Sequence, residues 1–320
     1  MRVVVLGGTG FVGRAVTRDL AVAGHDPVVV HRGETEVVGD RFPHIHGSRP
    51  DFGTIWQDIA AMSPDAFVDV APYSRADAQQ VLRVVPQEVP LIALSSMDVY
   101  RASVALRGGS SPDAMPLDES APLRDSRYID RDEANPSDDY EKLDVEEEYL
   151  ERDATILRLP MIYGEHDHSR REEFILRRCR AGRDAIPIGS GSLLCSRGYV
   201  GDIARAVRLA VEAGGSGETF NICEARTWTI GQWARQIAQA AGWRGEFVRV
   251  PDETLPDDLR LTSSFEQHLL CDASKARREL GWTDTDPETT VQRSVDWHLS
   301  HAPEASDDFS ADDDALQLAM

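Results

Sequence analysis

Lysine is nearly missing from this chain. Of 34 basic residues only Lys142 and Lys275 are lysines, and 55 acidic residues leave a net charge of -21. A surface of that sign repels phosphate backbones, which argues against nucleic acid as a partner. Such a composition suits a host with high intracellular salt, which would screen the self-repulsion; a GC-rich genome would also exchange Lys for Arg. No apolar run reaches the ~18 residues of a membrane span. The chain opens on a strand-like run, with no charged segment followed by an apolar one. A cytoplasmic protein with no membrane contact is therefore expected. Cysteine is scarce and scattered, at Cys179, Cys195, Cys223 and Cys271. Without a CxxC pair these read as separate reduced thiols. The HxH pairs His44/His46 and His166/His168 lack a second ligand cluster, so no metal is expected.

What is present is a globular composition, 41% apolar over 320 residues, enough for a large core in one or two domains. Short apolar runs, "RVVVLG" (2–7), "DPVVVH" (26–31), "DAFVDV" (65–70), "PLIALSS" (90–96) and "ATILRLP" (154–160), read as buried strands. Helical patterns such as "VGRAVTRDLAVAG" and "RADAQQVLRVV" lie between them. That alternation predicts an α/β fold, a doubly wound parallel sheet of Rossmann type. Residues 101–137 show weak periodicity and read as a long loop near the site. The second half mixes helices with the short strands "ETFNI" and "EFVRV". The acidic tail from about Pro303 is expected to be disordered.

"VVVLGGTGFVGRAV" places Gly7, Gly10 and Gly13 after a strand and at the start of a helix. Glycines there allow a tight turn and close approach of a pyrophosphate, and the helix N-terminus offers free N–H groups. With the next strand about 20 residues on, the pattern predicts dinucleotide binding, with Phe11 and Val12 in the same loop. The second strand ends in His31 and Arg32 where an acidic residue would meet the ribose of NAD. A cation suits the 2'-phosphate of NADP, so NADP is expected over NAD.

Several stretches, in order, resemble the extended short-chain dehydrogenase/reductase superfamily in its NAD-dependent epimerase/dehydratase branch. They are "GGTGFVG" (7–13), "SSMDVY" (95–100), "LRLPMIYGEHD" (157–167), "RGYVGDIARAV" (197–207), "FNIC" (220–223) and "DASKARRELGW" (272–282). The resemblance runs from Met1 to about His301. It implies a Rossmann domain, mainly residues 1–160. A smaller C-terminal α/β substrate domain follows, mainly 161–301, from which some segments return to the first, and 302–320 remain as the tail. It also implies reversible hydride transfer on a nucleotide sugar or a related hydroxy or carbonyl compound. Homodimerisation through a helical interface is left open, with the helix after Lys142 as its candidate and the acidic run Glu146, Glu147, Glu148 opposing it at low salt.

Residue by residue, the resemblance makes Ser96 the group that orients the substrate oxygen. Lys142 is the lysine that holds the ribose and lowers the pKa of a catalytic phenol, which is a poor base near pH 7 without a nearby cation. Ser48 stands where the family carries an Asp facing the adenine. Ala71 ends the fourth strand beside the cofactor, and Pro72 and Tyr73 follow where small residues are usual, narrowing the channel. Arg197 matches an arginine that meets the substrate diphosphate, with a structural salt bridge as the alternative. Asp98 is either an extra acid/base or a strand-end cap.

The tyrosine departs from the pattern. The family places it four residues before the lysine, where this chain has Asp138. Tyr140 lies only two before Lys142, and two residues apart on a regular helix point to nearly opposite faces. Three readings stay open. Tyr140 precedes the helix, whose start is marked by Pro136 and nearby capping residues; or Tyr128 supplies the phenol; or the role is absent, and the protein is a non-catalytic NADP-binding sensor or scaffold.

Overall fold

The computed structural model describes residues 1–34, 42–106, 113–129, 139–304 and 308–319. The strands are β1 (Arg2–Leu6), β2 (Asp26–His31), β3 (His44–His46), β4 (Ala66–Asp69), β5 (Leu91–Ser96), β6 (Thr155–Leu159), β7 (Met161–Tyr163), β8 (Ala185–Ile188), β9 (Arg197–Tyr199), β10 (Thr219–Asn221) and β11 (Glu246–Arg249). The helices are α1 (Phe11–Val22), α2 (Phe52–Ala61), α3 (Arg75–Leu82), α4 (Arg101–Ala105), α5 (Lys142–Leu150), α6 (Glu173–Arg180), α7 (Val200–Glu212), α8 (Ile230–Ala240), α9 (Ser274–Glu279), α10 (Pro287–Ser300) and α11 (Ser310–Gln317).

Seven strands form one parallel sheet in the order β10-β6-β5-β4-β1-β2-β3. Its central strands are apolar on both faces because helices cover both. Val3, Val5 and Ile92 pack with α1 and α7, and Val4, Phe67 and Ala93 pack with α2, α3 and α5. The chain leaves β1 toward opposite sides of the sheet, so a crevice opens at the carboxyl ends of β1, β2 and β4. α7 and β10 come from the second half of the sequence, yet α7 packs on the large sheet and β10 is one of its strands.

The smaller layer holds the strand pairs β7–β9 and β8–β11 with α6, α8, α10 and α11 around a second core. The tail differs from its expectation. Its acidity reads as solvation, yet α11 is docked by arginines of α6 and of the turn that follows it. Asp312, fully buried, accepts from Arg178 Nε at 2.6 Å and Nη2 at 2.7 Å, while Asp313 pairs with Arg183. Phe309 lies under the guanidinium of Arg177 at 4.8 Å.

α10 is seated through a polar stripe of Thr290, Ser294 and His298, spaced by four and all buried. Thr290 meets the Tyr163 hydroxyl, which donates to Glu224 at 2.6 Å; Ser294 donates to Glu172, which lies 3.5 Å from His298. Burial pushes both Glu172 and Glu224 from 4.5 up to about 7. The folded state therefore favours the proton. This stabilising contribution is complete below about pH 4.5 and is lost as pH rises to about 7. Glu172→Gln removes one such site, so its melting temperature relative to wild type should climb between pH 5 and 8, by an amount equivalent to ~2 kcal/mol. Parallel melting curves for the two proteins across that range would contradict it.

Candidate active site

A cleft of about 690 Å³ lies at the carboxyl edge of β1, β2 and β4, lined among others by Gly7, Gly10, Arg32, Ser48, Ala71 and Tyr73. Gly7 has φ +85, a conformation that glycine alone adopts at little cost. A Cβ on Gly13 would fall 2.0 Å from the Gly7 carbonyl oxygen, so this position closes helix against loop. The α1 N-terminus has no side-chain cap, which leaves its first N–H groups facing the loop. Such a cradle fits a dinucleotide pyrophosphate. Phe11 and Val12 direct their side chains into the packed cores, so their contribution to the cradle is backbone.

At the adenosine end the sequence reading is only partly matched by placement. Arg32 is exposed and lines the cleft, but it is paired with Glu34 at 2.8 Å, and both residues line it. The Ser48 hydroxyl donates to Asp51 at 2.6 Å. Beside it Arg49, which sequence reasoning missed, donates to buried Asp69 at 2.9 Å, and Asp69 also accepts from Tyr149 at 2.6 Å. The isolated acid within the apolar run "DAFVDV" was the available signal.

The Tyr140–Lys142 difficulty is resolved geometrically. α5 begins at Lys142 with Glu141 as its N-cap, so Tyr140 stands before the helix and the opposite-face rule does not apply. Glu141 is fixed by buried Arg124 at 2.9 Å and by the N–H groups of Tyr128 and Leu143. Asp138 and Pro136 lie outside the described residues. The Tyr140 hydroxyl donates to Asp98 Oδ2 at 2.6 Å, and the Lys142 ammonium is 5.8 Å from the Tyr140 ring centre. Lys142 donates to the carbonyls of Pro72 at 2.7 Å and Leu94 at 3.1 Å, and burial lowers it to about 8 although Asp98 opposes the shift. Burial raises Asp98, against the Tyr140 hydrogen bond, and its Oδ1 is buried without a hydrogen-bond partner among the described residues. Ser96 Oγ accepts from the Asp98 N–H at 3.2 Å, at the β5 end beside this pair. Ser96, Asp98, Tyr140 and Lys142 thus share one corner.

Other candidates are placed elsewhere. Tyr128 donates to Asp144 at 2.8 Å, outside that group. Arg197 is 1% exposed, lies over Trp233 at 5.0 Å and donates to the Trp228 carbonyl, while its Nε and Nη1 have no hydrogen-bond partner among the described residues. Glu146, expected on an outer helix face, is buried against Arg158 and Ser95. Among the described residues no group of three or more His, Cys, Asp or Glu is placed to hold a metal, the four cysteines are free, and no helix is long and apolar enough to cross a membrane.

With that geometry in place, the comparisons with known proteins agree in direction. The profile of the NAD dependent epimerase/dehydratase family matches residues 140–223, which begin at Tyr140 and include Lys142. Over that segment the chain is similar to the epimerase/dehydratase family, in line with the resemblance read from the sequence motifs. Among curated relatives, the chloroplast stem-loop binding protein of 41 kDa b from Arabidopsis thaliana is 24% identical, over 88% of this chain and 74% of its own. A dTDP-glucose 4,6-dehydratase from Salmonella typhimurium is 23% identical over 94% and 93%. The fold matches that of a UDP-glucose 4-epimerase from Bifidobacterium longum in complex with NAD+ and UDP, with TM-score 0.71, 16% identity and coverage of 94% and 98%.

Proposed function

We propose that the protein is a cytoplasmic NAD(P)-dependent epimerase/dehydratase or reductase acting on a nucleotide sugar or a related hydroxy or carbonyl compound. The observation that carries this reading is the convergence of Tyr140, Lys142, Asp98 and Ser96 in one corner, joined through Tyr73 to the cleft that the glycine loop lines. The dehydratase and epimerase relatives support the substrate class. A bound nicotinamide supplies the hydride acceptor and donor. Gly7, Gly10 and Gly13 cradle the pyrophosphate; Ser48 and Ala71 line its path. Tyr140 holds the transferable proton at its hydroxyl, with Asp98 Oδ2 as the adjoining proton acceptor. Lys142 supplies the cation that stabilises a phenolate, and Ser96 orients the substrate oxygen. The sensor or scaffold alternative lacks a motivating observation once Tyr140 and Lys142 share a corner. A nucleic-acid stem-loop, the ligand class that the chloroplast relative's name suggests, is poorly matched to a charge of -21.

The cofactor reading is tested by fluorescence titration with NADPH and NADH in low and molar salt. NADPH is expected to bind more tightly, Arg32→Ala to erase that preference, and Glu34→Gln to widen it by freeing Arg32 from its ion pair. Tighter NADH binding by wild type would reverse the NADP assignment, and no binding of either in any salt would remove the cofactor reading.

A further inference from the structure

Tyr73 takes no chemical part in the function proposed above, yet it occupies an unusual position. Tyr73 lines the cleft, and its ring also packs on Lys142, with the ammonium 5.1 Å from the ring centre, nearer than it is to that of Tyr140. The two ring centres are 5.9 Å apart, so they and the ammonium form a near-equilateral triangle, with both rings packed to one side of the lysine head. An ammonium has three donors. Two are taken by the Pro72 and Leu94 carbonyls, and among the described residues no oxygen or nitrogen accepts the third. A positive charge held against aromatic faces is attracted to their π-electrons, which makes this a stable resting place.

The backbone of Tyr73 is pinned while its side chain is not. Its N–H donates to Asp77 at 2.9 Å, and its carbonyl accepts from Glu141 N at 2.7 Å, tying it to the lead-in of α5. Buried Pro72 precedes it, and the Ser74–Asp77 capping box follows. The side chain is nonetheless half exposed, 55% for the residue. Motion at this point is therefore side-chain rotation, which moves the ring without disturbing β4 or α3.

We infer that the Tyr73 ring is a gate over Lys142: it covers the ammonium on the cleft side, and a ribose hydroxyl becomes the third partner of that nitrogen only when the ring turns toward solvent. This rests on the proposed cofactor reading for the identity of the incoming hydroxyl, but the covering itself is a property of the chain. Tyr73 is thus a positioning residue, acting on substrate chemistry through Lys142.

The near-absence of lysine makes the gate directly testable. Trinitrobenzenesulfonate attacks neutral amines, and peptide mapping resolves the adducts at Lys142 and Lys275, the only two lysines. Lys275, paired with Glu218 and packed on Phe220, is the internal standard. Tyr73→Ala should speed adduct formation at Lys142 several-fold at pH 8 and leave Lys275 unchanged, while Tyr73→Phe, which keeps the ring, should match wild type. Equal Lys142 rates in wild type and Tyr73→Ala would overturn the gate, as would a Tyr73→Phe rate as fast as that of Tyr73→Ala. NADPH affinity provides the second measurement: removing the cover should tighten binding several-fold, because the competent state no longer has to be populated first. Weaker binding by Tyr73→Ala would overturn the gate in favour of a stacking platform. Faster labelling together with no dinucleotide binding by either protein would uphold the gate and reject the cofactor reading on which its ribose rests.

Discussion

Replacing Lys142 by methionine is expected to lower turnover by about 10²–10⁴-fold, the range for losing a positioned acid–base group. The variant loses the ammonium that lies 5.8 Å from the Tyr140 ring centre, and with it that cation's stabilisation of a phenolate. The pH–rate profile separates this from a folding defect. The ammonium is present below about pH 8 and lost above it, so the wild-type rate should decline through that pH and the variant should show no such limb. The Pro72 and Leu94 carbonyls lose their donor, which costs about 1–3 kcal/mol. Melting curves measured alongside show whether the protein remains folded. A folded Lys142→Met protein with wild-type turnover would remove the lysine, and the chemistry assigned to its corner, from the mechanism.

The second large effect is on stability and concerns Arg178. Its guanidinium is fully buried and joins α6 to Asp312 of α11 and to Asp258. Arg178→Met would leave Asp312 buried without its partner, and removing one member of a buried pair costs about 3–5 kcal/mol. Urea denaturation should register that loss. Arg178→Met combined with Asp312→Leu should recover most of it, because no charge then remains unpaired in the interior. A double variant as unstable as the single one would mean that α11 is held by other contacts, such as Phe309 on Arg177.

Much of the fold was legible because its strands are apolar on both faces and its helices amphipathic. The motif residues carry a less obvious lesson. Ser95, Tyr100, Arg158 and Asn221 come from three separate motifs, and the structure joins them with Glu146 in one buried network. Ser95 and Arg158 donate to Glu146, Arg158 donates to the Tyr100 hydroxyl at 3.1 Å, and Tyr100 donates to Asn221 at 2.7 Å. Likewise Asp202 of "VGDIA" receives Thr285, and its carbonyl receives the indole N–H of Trp282 in "LGW". Most of what carries the family resemblance is therefore internal bracing, while the corner of Ser96, Asp98, Tyr140 and Lys142 uses only a few motif positions.

Other features were hidden from sequence reasoning for physical reasons. Two residues of separation between Tyr140 and Lys142 is informative only if the helix boundary is known, and that boundary is set by Glu141 through Arg124, seventeen residues upstream. The tail looked solvated because its acids were counted alone, without the arginines of α6 that face them. Glu146 was read within an acidic helix run, yet it is buried against Arg158 and Ser95, partners that the linear pattern does not bring together.

Both margins of the large sheet, β3 and β10, are only three residues long among the described residues. A margin that short offers a neighbouring molecule little unpaired backbone to zip onto. In molar salt, where surface repulsion between acidic molecules reaches only about 3 Å, charge no longer keeps crowded copies apart. Brevity of the outer strands is then the safeguard against fibrous association, one that works at any ionic strength.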